Sequence, residues 1–563
     1  MSEVTPRLAD CSSANATPLV CEVYGEKYLK SNDRLVCAIA LFRHADRTCK
    51  QKVSLKFAGD PPSQFSVNED IRAASLFREL AKYVRERRTE CKSEESVYMN
   101  GLGILQSEKE DLKVKIERLP TGWLLKLKWG GSLTSVGVAQ SVAAGREFRQ
   151  LLGSEAASDL KVYSSTDTRC QETAAAFVKG LVDEPESVRI RAEDGPDGLG
   201  SLDETGFRHS SIVGRMRSEI SSLLMSGRRI DKEFEADLFP DKSEAWAAKA
   251  ALTQIASKYR SFADAVLDLR EKLDSFVAAI SKLDKSLSAN SSESLGLMAN
   301  RWLAIWKSLH RMDRTGNSST TVSGAPFSSV QISLIGEIFD NAHFDLRHSL
   351  ANLKSINAKA ATQLATLSDL VTLLSRVVTP AEYGLSTVDK SYIGSTFLQP
   401  LIRKLRFDFR LSAGIPLGEE AMYLTKHDDS DAVQNSARTR LYFAHHSHMM
   451  SFVNVLKSES LLTEEFSRDV AWLHQIDHLS YLSRIVLCVY RTELGRWRLT
   501  VQVGTGDKSA LHTVVDGTTE SVESIDEFFN AMLLLPIRRK AADDKFQSIL
   551  TIAESSETLF QED

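Results

Sequence analysis

Eight consecutive apolar residues, 35–42 (LVCAIALF), stand between the polar triplet Ser31-Asn32-Asp33 and the charged stretch that opens at Arg43. An unbroken apolar run of strand length, without the alternation of a half-solvated strand, reads as a strand covered on both faces in a mostly parallel sheet. Residues 160–164 (LKVYS) form a second such run, followed by a helical stretch at 172–181 (ETAAAFVKGL). Residues 441–444 (LYFA) form a third, followed by a helix-like segment at 449–456. Runs at 485–490 and 497–503 flank Gly495 and predict a hairpin. Strand-then-helix units at both ends of the chain predict an α/β core.

The middle of the chain has another period. Phe262, Val266, Leu269, Leu273, Phe276, Ile280 and Leu283 recur every three or four residues, marking one face of a long amphipathic helix. Helical patterning dominates 210–378 and breaks at SANSSES after Leu287 and at TGNSSTTVSGAP after Arg314. The acidic stretch 428–431 reads as a further loop. The expected map is a tail at 1–30, an α/β core from 31–181 and 380–540, an inserted mainly helical domain at 182–379, and a second tail at 541–563.

A chain of 563 residues exceeds one average domain, in keeping with a core that carries an insertion. Its net charge of -5 does not advertise nucleic-acid or membrane binding, so an anionic ligand has to meet a local basic patch. The polar start MSEVTPRLADCSSANATPLV lacks the pattern of a signal peptide, and no apolar stretch approaches transmembrane length. Seven scattered cysteines with no CxxC pair suggest neither a disulfide framework nor a common zinc pattern. A reducing, cytoplasmic setting without a metal or cofactor is expected.

Arg43-His44-Ala45-Asp46-Arg47-Thr48 follows the first predicted strand directly. The carboxyl ends of parallel strands are where open α/β sheets bind ligands. A histidine between two arginines suits phosphoryl transfer there. The imidazole attacks phosphorus while guanidinium forks hold the non-bridging oxygens. From Arg43 to Lys56 five cations (Arg43, Arg47, Lys50, Lys52, Lys56) face one acid, Asp46. Chemistry alone fits this reading or a partly buried histidine beside solvated arginines; the position after a strand favours the first.

FRHADRT resembles the RHGxRxP element of the histidine acid phosphatases. The closer resemblance is to the phosphatase domain of the diphosphoinositol pentakisphosphate kinases, where RHADRTPKQK is the usual form and this chain has RHADRTCKQK. LKWGGSLTSVGVAQ, VYSSTDTRCQETAAAFVKGL, VQISLIGEIFDNAHFDLRHS, YGLSTVDKSYIGSTFLQPLIRKLRFDFR and TRLYFAHHSHMMSFVNVL fall in that family's order, over roughly 35–503. The resemblance implies a histidine-phosphatase core sheet with helices on both faces and a large helical insertion. It also implies removal of the terminal phosphate, at ring position 1, from inositol pyrophosphates, with inorganic phosphate as product. By the same resemblance His44 is the nucleophile that becomes phosphorylated, and Arg43, Arg47 and Arg169 clamp the phosphate. His448 aligns with the family's second catalytic histidine. Lys50, Lys52, Lys390, Arg403 and Lys404 fit a role in holding the other ring phosphates, or are solvated surface charges.

The chain departs from the family in three places. Cys49 replaces the proline after RHADRT, and beside two arginines its thiol is either activated or an inert buried group. The family's DEGR is TDTR here, which keeps Arg169 and changes its supports. No acid stands next to His448, where ordinary histidine acid phosphatases place one. His445 and His446 occupy the family's Ser-Glu and read as surface histidines at a strand end, or as groups that orient a phosphate or donate a proton. The kinase half that usually precedes this domain is expected to be absent, since about thirty residues before the first strand are too few for a nucleotide-binding domain. Two activities remain: an inositol pyrophosphate phosphatase, and a catalytically weak domain that senses inositol polyphosphates. A broad phytase is disfavoured by the missing acid. An alkoxide leaving group needs a proton from such an acid, whereas a phosphate leaving group, with a second pKa of about 6, does not.

Overall fold

The computed structural model describes residues 33–57, 59–60, 70–71, 113–153, 160–192, 202, 220–239, 246–314, 330–382, 391–417, 438–457, 465–476 and 478–540. The first apolar run becomes strand β1 (Arg34–Arg43). After the His44 loop, β2 (Gln51–Phe57), β3 (Asp70–Ile71), β4 (Lys113–Leu119) and β5 (Gly122–Trp129) form a small antiparallel sheet in the order β2-β5-β4-β3. Helix α1 (Ser135–Leu152), β6 (Leu160–Ser164), α2 (Thr168–Leu181) and β7 (Ile190–Ala192) follow. The helical middle contains α3 (Phe262–Ile280), a short pair β8 (Ser288–Asn290) and β9 (Glu293–Ser294), α4 (Leu295–Arg314), α5 (Val330–His348) and α6 (Ala358–Pro380). The chain returns through α7 (Ser391–Ala413), β10 (Thr439–Ala444), α8 (His446–Lys457), β11 (Phe466–Arg468), β12 (Arg484–Arg491), β13 (Trp497–Gly504), β14 (His512–Thr519) and α9 (Val522–Lys540).

The main sheet runs β11-β14-β13-β12-β1-β10-β6-β7. Strands β1, β10, β6 and β7 are parallel, and the other half, joined to β1 through β12, is antiparallel. The sheet is therefore mixed, not mostly parallel, because the predicted hairpin around Gly495 (φ +73°) adds its strands to the edge of β1. Strand β7 belongs to this sheet although it lies beyond the expected core boundary at 181. The serine-rich break after Leu287 is the β8–β9 pair, whereas the loops expected at 315–326 and 428–431 lie outside the described residues.

Side-chain alternation along β1 explains its continuous apolar sequence. Cys37, Ile39 and Leu41 pack on one face with α7, α8 and α9, whereas Ala38, Ala40 and Phe42 pack on the other with α1 and α2. Helices thus cover both faces. The inserted helices close around a separate core that includes Leu269, Phe276, Trp302, Ile335, Leu364 and Leu374. No helix among the described residues is long and apolar enough to cross a membrane.

Candidate active site

Strands β1, β10 and β6 end level with one another. Arg43 pairs with Ala444, and Phe443 with Ser164. The residues that leave these strands, His44, His445 and Ser165, are therefore neighbours at one edge of the sheet. Backbone bonds fix the exits: His44 N–H donates to Ala444 O at 3.1 Å and Ser165 N–H to Phe443 O at 3.0 Å. Leu482 leads into β12 in the left-handed region (φ 56°), an uncommon conformation for a non-glycine residue, and its N–H reaches His44 O at 3.4 Å. The loop beyond His44 lies against α1 and the Gly130–Gly131 turn. A Cβ on Gly137 would stand 2.1 Å from Asp46 O, and one on Gly130 (φ +76°) 2.0 Å from Cys49 O.

His44 is 4% exposed, and its Nδ1 lies 3.0 Å from Ala45 O. A carbonyl only accepts, so Nδ1 carries the proton and Nε2 keeps its lone pair. Burial, reinforced by Arg43, Arg169, Arg47 and His445, holds the imidazole pKa well below its ordinary value, so the ring stays neutral. Arg43 donates to Leu479 O at 2.5 Å and lies over the Tyr481 ring at 4.6 Å. Arg47 donates to Thr48 O at 3.1 Å and pairs with Asp340 at 3.2 Å. Arg169 pairs with Asp167 at 2.5 Å and donates from Nη2 to Nδ1 of His445 at 2.9 Å. The Nε–H groups of all three arginines are buried without a partner among the described residues. His44 and the three guanidiniums line one cavity of about 290 Å³.

His445 is buried at 2% exposure and is not a surface residue. Because Nδ1 accepts from Arg169, the proton lies on Nε2, which donates to Ser165 Oγ at 2.9 Å. His446, half-buried, donates from Nδ1 to Leu479 O at 3.0 Å. It lines the His44 cavity with His478, and burial followed by the Arg43 charge pushes both down in pKa, His478 to about 3. His448, the residue aligned with the family's second catalytic histidine, lies on α8, fully buried, with its ring 4.6 Å from Phe397 and 5.9 Å from His445. His445, the first residue after β10, is the histidine bonded to Arg169.

The five expected phosphate-holding cations divide. Lys50 lines the cavities next to the clamp and pairs with Asp167 at 3.4 Å. Lys52 is in β2, opposite Lys128 of β5. Lys390 lies outside the described residues. Arg403 is exposed on α7 and does not line these cavities. Lys404 is held elsewhere: it donates to Asp408 at 2.6 Å and lies over Tyr163 at 4.9 Å, and Asp408 also receives Arg440 and Tyr442. Its neighbours thus make it part of a buried ion cluster behind the sheet. The Cys49 thiol is pushed up by burial, against the lowering charges of Arg301 and Arg47, the direction of an inert buried group rather than of an activated one.

Carboxylates also reach the site from the insertion. Asp340, Glu337 and Glu382 line the His44 cavity. Arg347 and His348, at the end of α5, bind Asp46 at 3.1 Å and 2.6 Å, and Thr134 Oγ1 donates to the same carboxylate at 2.7 Å. Tyr481 and His478 are further site residues without a motif of their own. The segment VQISLIGEIFDNAHFDLRHS carried the signal for the α5 groups: Glu337, Asp340 and Arg347–His348 recur at helical spacing. Among the described residues no group of three or more His, Cys, Asp or Glu side chains is arranged to hold a metal ion.

Comparison with known proteins bears on this geometry. The chain is 26% identical over 541 residues to mouse inositol hexakisphosphate and diphosphoinositol-pentakisphosphate kinase 2, covering 81% of this chain and 44% of that protein. It is 27% identical over 523 residues to rat inositol hexakisphosphate and diphosphoinositol-pentakisphosphate kinase 1, covering 81% of this chain and 35% of that one. The chain thus spans less than half the length of these relatives. Hafnia alvei phytase in complex with tartrate aligns over 89% of this chain and 97% of its own at 11% identity, with a TM-score of 0.35. The sequence model of the histidine phosphatase superfamily (branch 2) matches residues 34–503, from the first residue of β1 to within one residue of the end of β13. The chain belongs to that superfamily.

Proposed function

We propose that this chain is an inositol pyrophosphate phosphatase that passes the terminal phosphate, at ring position 1, to Nε2 of His44 and then to water. One observation carries the reading: Nδ1 of His44 is committed to Ala45 O, so a neutral nucleophile lines a cavity with three guanidiniums. Attack forms the P–N bond and breaks the anhydride P–O bond, whose electron pair leaves on the inositol phosphate. Arg43, Arg47 and Arg169 hold the charge that develops on the transferring group. Water then attacks phosphorus and the P–N pair returns to the ring, releasing inorganic phosphate. His445, tied to Arg169 and Ser165, keeps Arg169 oriented through this cycle.

A polyphosphorylated ring fits the neighbouring cavity of about 590 Å³, within the usual range for small-ligand sites. Lys50, Lys128, Arg169 and Arg301 line it with the Gly130–Gly131–Ser132 backbone. The relatives' names point to the same substrate class. The described cysteines are buried and form no disulfide with one another, which fits a reducing cytoplasm.

The test is phosphate release from an inositol pyrophosphate and from the hexakisphosphate, with acid-quenched samples assayed for phosphohistidine. His44→Ala is expected to lower turnover by several orders of magnitude and to abolish labelling. Near-normal turnover by His44→Ala ends the covalent route. Asp340 on Arg47 and Asp167 on Arg169 favour one second reading, a sensor whose clamp is already neutralised. Tight binding of both inositols with turnover of neither would establish it.

A further inference from the structure

Three cavities surround the clamp. One holds His44, Arg43, Arg47 and Arg169, the next opens between Arg47, Cys49 and Tyr481, and the large one carries Lys50 and Lys128. Glu337, on α5, lines all three. It therefore stands where the transferring phosphate, in the first, meets the rest of a substrate, in the last.

Three other carboxylates near the clamp are committed, and Glu382 lines the first cavity but neither of the others. Asp340 binds Arg47, Asp167 binds Arg169 and Lys50, and Asp46 binds Thr134, Arg347 and His348. The Glu337 side chain has no hydrogen bond or ion pair among the described residues. Its backbone oxygen accepts from Asn341 Nδ2 at 2.7 Å, as an ordinary helical residue's can. A carboxyl group held by a cation cannot serve as an acid, because the cation favours the ionised form. Glu337 is free of that constraint.

We propose that Glu337 is the general acid of the phosphoryl-transfer step, an assignment that rests on the phosphohistidine reading of His44. As His44 Nε2 bonds to phosphorus and the P–O bond breaks, the carboxyl proton of Glu337 passes to the departing oxygen, so an alkoxide leaves as an alcohol. When water later attacks the phosphohistidine, the Glu337 carboxylate takes a proton from it and the starting state is restored. Glu337 is exposed on α5, but partial loss of water where it lines these cavities, followed by the Asp340 charge, pushes its carboxyl up from the ordinary range, the direction this step needs. The acid that the sequence lacks beside His448 is thereby supplied by the inserted helix. Leaving groups then need not be phosphates.

The test is the first-turnover release of the leaving group from an alkyl phosphate and from an aryl phosphate. Wild type, Glu337→Gln and His44→Ala are compared, and phosphohistidine is assayed after acid quench. Glutamine keeps the size and helix propensity of the exposed site. The expected result is a loss of about 10²- to 10⁴-fold for the alkyl phosphate in Glu337→Gln, with little loss for the aryl phosphate, whose phenolate leaves unprotonated. Equal losses on both substrates, or none on either, overturn the assignment and leave the phosphohistidine standing. Absence of phosphohistidine in the wild type overturns both.

Discussion

Asp46 joins the His44 loop to two other parts of the molecule. Its carboxylate is 1% exposed and accepts from Thr134 Oγ1, the N-cap of α1, and from His348 and Arg347 at the end of α5. Asp46→Asn keeps the shape and one acceptor but removes the charge and turns the other oxygen into a donor facing donors. Hydrogen bonds to charged groups contribute about 1.5–3 kcal/mol each, and one is lost outright. Arg347 is 43% exposed, so its pairing adds about 0–1 kcal/mol after solvent screening. The expected destabilisation is about 2–4 kcal/mol. Burial alone would raise the Asp46 pKa, but the bonds from His348 and Thr134 and the charges of His348 and Arg347 hold it below the ordinary range. A depressed folded pKa gives stability that is present above the unfolded value of about 3.9 and is lost as the pH falls through the folded value. The difference between wild type and variant should therefore be full at pH 7 and shrink in acid. Urea denaturation at both pH values measures it, and a cycle with His348→Gln should show coupling of about 0.5–3 kcal/mol. A difference at pH 7 below about 0.5 kcal/mol, the size of a neutral surface change, would refute the anchoring argument, as would strict additivity in the cycle.

Three further outcomes follow from the site. Because burial and the arginines keep His44 neutral, kcat/KM should not fall below about pH 6.5 through protonation of His44; a tenfold loss per pH unit there, absent when the same profile is taken on folding, would contradict this. The raised Cys49 thiol should make inactivation by peroxide equally fast in wild type and Cys49→Ser, and protection by the serine would show an activated thiolate. His445→Ala should lower kcat beyond what its loss of stability explains, because it cuts the bonds to Arg169 and Ser165, whereas His448→Ala, by emptying a fully buried site against Phe397, should act mainly on the thermal midpoint; a larger kcat effect at His448 would favour the catalytic role the sequence suggests for it.

The strands of the core were legible where burial on both faces leaves no polar position. The run at 35–42 and the LKVYS segment correspond to β1 and β6 within a residue at each end. Direction in the sheet was not legible, because apolarity reports burial and not which neighbour a strand pairs with. The parallel reading thus held for β10, β6 and β7 and failed for the four strands from β12 outward, β12, β13, β14 and β11. The small sheet did carry a signal. Trp123, Leu125, Leu127 and Trp129 alternate with exposed or half-buried residues along β5, and the period of two marks a strand with one wet face.

At the site, the residues that sequence alone brings together are those on one short loop: Arg43, His44 and Arg47. The choice between His445 and His448 depends instead on where β10 stops. Alignment by residue type favours His448, but β10 ends at Ala444, level with Arg43, and the chain turns into α8 at His446. The first residue past a level strand end lies beside the residue that leaves its neighbour, so His445 meets His44 with ring centroids 6.0 Å apart, whereas His448, three residues on, does not line that cavity. The acids were hidden by a longer route. Glu337 and Asp340 follow His44 by nearly three hundred residues in sequence. They reach the clamp on a helix whose far end is bound to Asp46, inside the motif, through Arg347 and His348. The one acid within the Arg43–Arg47 motif therefore does not line the His44 cavity, and its charge instead binds the helix that carries the others.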